Sequence, residues 1–134
     1  MQTQNLEVWL RGPIAGIPQL LQPVAHALLQ AQEELSLLNL PEHLLWVKPG
    51  GVASVGFHLQ HLTGVLDRLL TYARNQPLNP KQLDFLSTEE HAPYTGCTFE
   101  DLRVNFNKQV DLALQQLQLT DSHTLTEIRY VGRA

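Results

Sequence analysis

The sequence predicts an all-α protein, an up-down helical bundle, and three observations carry that reading. Apolar residues recur at three- and four-residue intervals over long stretches, period-two alternation is lacking, and Pro and Gly cluster at the joints. A length of 134 residues suits one domain, 1–134, with one hydrophobic core.

The first helix is expected at about 18–38, where Leu20, Leu21, Val24, Ala25, Leu28, Leu29, Leu35 and Leu38 form a stripe. Pro23 belongs in its first turn, where a missing N–H does little harm. The second is expected at about 54–75, opened by Ser54 as N-cap and stopped at Asn75 and Pro77. Its apolar face runs through Val55, Leu59, Leu62, Val65, Leu66, Leu69, Leu70 and Ala73. A short helix is expected at about 80–86 behind Asn79 and Pro80. The third long helix is expected at about 98–119. Thr98 and Asp101 resemble a capping box there, and Phe99, Leu102, Phe106, Val110, Ala113, Leu114 and Leu117 are its buried row. The last residues, 120–134, read as a turn and an extended tail. Three such helices can close on themselves or await a fourth from another chain.

Composition excludes several classes. A net charge of −4 without a Lys/Arg run argues against nucleic acid. A single cysteine, Cys97, makes no intramolecular disulfide and suits a reducing compartment. The first twelve residues lack the basic and apolar regions of a signal peptide, and no apolar run approaches the roughly 20 residues that span a bilayer. A cytoplasmic protein without membrane attachment is the expectation.

The chemistry-bearing stretch is "SVGFHLQHLTGVLDRLL", 54–70. His58 and His61 lie three apart on a helix, close enough to share a metal, yet "HLQH" is not the i, i+4 zinc motif. Helical periodicity puts His58 about 40° and His61 about 100° from the centre of the apolar face, so His58 is expected to be the more buried. A packed or hydrogen-bonded role stands beside the metal role for both. His26, His43, His91 and His123 are scattered, with His26 nearest an apolar stripe. Cys97 precedes a helix N-terminus, where a thiol can acidify, though no cationic neighbour is adjacent in sequence. Glu89, Glu90, Glu100 and Asp101 read as loop or first-turn acids. Neither a phosphate-binding Gly loop nor a G-x-S-x-G elbow is present.

"LLWVKPGGVASVGFHLQHL" resembles the DinB/YfiT-like family of metal-dependent four-helix bundles. The pattern is a Trp-containing loop, a Ser opening the second helix with an apolar neighbour, and a His seven positions on, followed by Leu. Here these are Trp46, Ser54, Val55, His61 and Leu62, and "RYVGRA" follows the third long helix. The resemblance makes His61 the family's ligand position and sets His58 where the family usually has an apolar residue, so that His58 is expected as a second ligand or a supporting group in this chain alone. It implies Zn²⁺ or Ni²⁺ in an open three-histidine site. It also implies a thiol-dependent transferase or isomerase, or a hydrolase, in which the metal lowers the pKa of a bound thiol. The substrate would be a small molecule with a low-molecular-weight thiol as partner. The family's other ligands form an H-x-x-x-H pair on a fourth helix, and no H-x-x-x-H occurs in these residues. The alternatives are a self-associating, non-catalytic bundle, expected as a homodimer, and a metal-free small-molecule-binding module.

Overall fold

Capping side chains open three of the four α-helices among the described residues. The computed structural model describes residues 6–131 and contains α1 (Gln22–Ser36), α2 (Val55–Ala73), α3 (Pro80–Thr88) and α4 (Phe99–Leu119). Short 3-10 turns punctuate the joints, and the described residues contain no strand. Ser54 Oγ accepts from the Phe57 N–H at 3.0 Å. Asn79 with Gln82, and Thr98 with Asp101, form reciprocal capping boxes. α1 begins at Gln22 rather than near 18 because Pro23 has no N–H to give the Gln19 carbonyl, and Gln19–Leu21 coils separately. Asn75, at φ 57°, ends α2 in the left-handed conformation that Asn tolerates.

The tail turns at Ser122–Thr124 and lies back against the end of α2. Arg129 Nε donates to the Ala73 carbonyl at 2.6 Å, and the Tyr130 N–H to Asn75 Oδ1 at 3.1 Å. The end of "RYVGRA" lies outside the described residues.

α4 packs against both α2 and α1. The first turns of α4 share a core with early α2 and the Trp loop, through Leu45, Leu59, Cys97, Phe99 and Leu102. Gln116, near the end of α4, donates to the Leu70 carbonyl late in α2 at 2.9 Å. α2 and α4 therefore run the same way, while early α1 meets late α4 through Ala25 and Leu117. Successive helices alternate in direction once α3 is counted, since its start lies beside Thr71 late in α2 and its end beside Gln60 early in α2. Residues 74–98 form a crossover long enough to return along α2, and α3 rides on it.

α4 buries the row expected of it, with Leu114 at its margin. α2 does not. Val55, Leu62 and Leu69, the expected centre of its buried face, are 41%, 44% and 58% exposed. Leu59 of that face is buried, but its buried companions are Gly56, Gln60, Gly64, Arg68 and Thr71, because α2 turns a strip of small and polar residues toward the Trp loop and α3. Gly56 belongs to that strip because the Trp46 ring lies where a Cβ would stand, 2.7 Å away. Of the stripe expected at 18–38, Leu20, Val24 and Leu38 are likewise exposed.

Two outcomes test the α4 start. Thr98→Ala should cost about 1 kcal/mol in urea unfolding, the usual value of an N-cap. Tyr94 donates to Asp101 Oδ2 at 2.7 Å. That bond, and then the Thr98 N–H, hold the Asp101 carboxyl below its ordinary 3.8. A depressed carboxyl stabilises the fold above its unfolded pKa, and the contribution fades as pH falls through the folded value. Below about pH 4, wild type should therefore lose more stability than Asp101→Asn, whose cap does not titrate.

Candidate functional site

Two glutamines fix α3 to α2. Gln82 Nε2 donates to Thr71 Oγ1 at 2.8 Å and Asp67 Oδ2 at 3.0 Å. One end further on, Gln60 Nε2 donates to the backbone carbonyls of Glu89 and His91 at 2.9 and 2.8 Å. This clamp holds the C-terminus of α3 over Gly64 and delivers Glu89, only 4% exposed, onto α2. Gly64 makes the approach feasible, because a Cβ there would stand 2.5 Å from Glu89 Oε1.

Glu89 spends its two carboxylate oxygens on two α2 residues. Arg68 Nη1 donates to Oε1 at 2.7 Å, and His61 Nδ1 lies 2.8 Å from Oε2. An ionised carboxylate only accepts, so the ring nitrogen facing it carries the hydrogen. In the neutral ring Nε2 is then the lone-pair nitrogen, and it makes no hydrogen bond among the described residues. The imidazole is 43% exposed and stacks on Phe57, with ring centroids 5.1 Å apart and planes 14° apart. Phe57 and Glu89 thus hold the ring on a face and on an edge.

The burial ranking of the two histidines is the reverse of that expected from periodicity. His61 is half-buried under Glu89, whereas His58 is exposed and touches Phe57 edge-on. The angular argument assumed that the apolar stripe faces inward, and α2 is rotated away from that orientation. His58 and His61 share Phe57 as a neighbour, but no group of three His, Cys, Asp or Glu side chains converges among the described residues. His61 fits the role of one metal ligand, since ligating histidines commonly give their other N–H to a carboxylate. The three-ligand set is not assembled by these residues.

The remaining candidates take local roles. His26 Nε2 meets the Gly12 carbonyl at 3.0 Å, His123 meets Asp121, and His91 lends its backbone carbonyl to Gln60. Cys97 is buried, and desolvation raises its thiol pKa, which works against a helix-terminal thiolate.

Glu89 is the residue that sequence reasoning misread as an ordinary loop acid. The available signal was Arg68, a cation within "VLDRLL" on the same helix row as His61 and Gly64. A charged residue on a packed helix needs a partner.

No known protein family, curated protein or solved structure matches the chain.

Glu89→Ala should cost about 3–5 kcal/mol in urea unfolding, because Arg68 is left buried and unpaired. Gly64→Ala should cost about 1–3 kcal/mol by displacing the pair. His58→Ala should stay within about 0.5 kcal/mol. A loss below about 1 kcal/mol for Glu89→Ala would mean that Arg68 finds water instead.

Proposed function

We propose that this chain is a DinB/YfiT-like, metal-dependent helical-bundle protein in which His61 supplies one ligand through Nε2. The observation that carries the proposal is the His61–Glu89–Arg68 relay, which turns one imidazole nitrogen to a carboxylate and leaves the other available. The motif residues support it. Ser54 caps the helix that bears His61, and the Trp46 loop packs on its first turn at Gly56.

The proposed activity is transfer or isomerisation with a low-molecular-weight thiol, or hydrolysis, on a small-molecule substrate in the cytoplasm. A single imidazole holds zinc or nickel weakly, and open catalytic sites use three protein ligands. Further donors must therefore come from outside the described residues or from a second chain. His58, one turn before His61, is a supporting group rather than an equal ligand in this proposal. The open row Val55, Leu62 and Leu69 favours a homodimer. The same row is also the specific support for a second reading, a self-associating bundle without catalysis.

Zinc affinity and native mass, measured on one tag-free preparation, separate the readings. His61→Ala should weaken zinc binding at least about tenfold, and His58→Ala much less. Equal effects would overturn the assignment of His61. Leu69→Lys should convert a dimer to a monomer in sedimentation with stability changed by no more than about 0.5 kcal/mol. A dimer that binds no zinc would favour the non-catalytic bundle.

A further inference from the structure

Five arginines lie within the described residues, and three meet carboxylates: Arg11 with Glu33, Arg68 with Glu89, and Arg103 with Glu100. The other two, Arg74 and Arg129, make no ion pair among the described residues, and both line one groove of about 750 Å³. Its walls are apolar, formed by Leu70, Ala73, Leu112, Leu117 and Leu125, and it runs between α2, α4 and the returning tail. The volume falls within the range of small-molecule sites, which pair apolar walls with a few placed polar groups.

Both guanidiniums are held by neutral acceptors. Arg74 donates to Gln76, Gln116 and Thr71. Arg129 donates to the carbonyls of Ala73 and Glu127 and to Thr124 Oγ1. A guanidinium carries five N–H donors, so each keeps two unspent within the described contacts. These contacts fix the two heads near the end of α2 without neutralising them. Asp121 also lines the groove, but its Oδ1 is engaged by the backbone and ring nitrogens of His123 at 2.9 Å each. The balance of fixed charge in the groove is positive.

We propose that this groove binds a free amphiphilic carboxylate of medium chain length. The alkyl chain would lie along Leu70, Leu112 and Leu125, and the carboxylate would take the spare donors of Arg74 and Arg129. A charge-assisted contact to guanidinium supplies the head-group preference, and the leucine walls supply the rest. The site is separate from His61 and does not depend on a metal.

Calorimetric titration with decanoate and with decanol, both kept below aggregation, tests the proposal on the whole chain. Decanoate should bind wild type at least about tenfold more tightly than decanol, the factor expected of one charge-assisted contact. Arg74→Gln should remove that preference while leaving decanol binding unchanged. Leu112→Glu, at a position 56% exposed and so tolerant of a polar side chain, should abolish decanoate binding with the fold intact by circular dichroism. Equal affinity for decanoate and decanol, or no decanoate binding by folded wild type, would overturn the proposal. So would sedimentation showing that Leu112→Glu dissociates a dimer in which decanoate does not compete, because the groove would then hold a second copy of the chain.

Discussion

The buried pair between Arg68 and Glu89 organises one side of this molecule. Neither partner tolerates isolation in a low-dielectric setting, and together they tie the end of α3 to the middle of α2 at 2.7 Å. Everything near His61 follows from that tie. Gly64 is needed to admit the carboxylate, Gln60 to hold the backbone that carries it, and His61 to occupy its second oxygen. An apolar contact of the same area would hold α3 in place but would not choose a ring nitrogen.

The cost of this arrangement is visible on the opposite side of α2. By turning Gln60, Gly64, Arg68 and Thr71 inward, the helix turns Val55, Leu62 and Leu69 toward the surface. The parallel course of α2 and α4, with α1 antiparallel beside α4, gives α4 a partner on two sides and α2 an open row. A polar site and an exposed apolar row are therefore two consequences of one helix rotation. No helix among the described residues is long and apolar enough to cross a membrane.

The helices were legible because their signals are local. Thr98 with Asp101, Asn79 with Pro80, and Ser54 each announce a helix start in adjacent residues, and the apolar row of α4 reads correctly because α4 has neighbours on two sides. The face of α2 was not legible. Periodicity locates a stripe but cannot say whether that stripe is covered, and the covering depends on where the 74–98 crossover sets α3 down. Glu89 was hidden for the same reason, being 28 residues from His61 in sequence and brought near it only by that crossover. His61 itself stood out through its place after Ser54, while the burial order of His58 and His61 depended on the rotation.

The contact with Glu89 selects which ring nitrogen of neutral His61 carries the hydrogen. Free imidazole side chains favour hydrogen on Nε2, so the geometry requires the less common form. Nitrogen-15 NMR of His61 in its neutral state, with ring nitrogens identified through their couplings to the ring protons, tests this directly. Wild type should carry hydrogen on Nδ1 with a bare Nε2, and Glu89→Gln should lose that preference. Hydrogen on Nε2 in wild type, or a pattern that Glu89→Gln leaves unchanged, would contradict it.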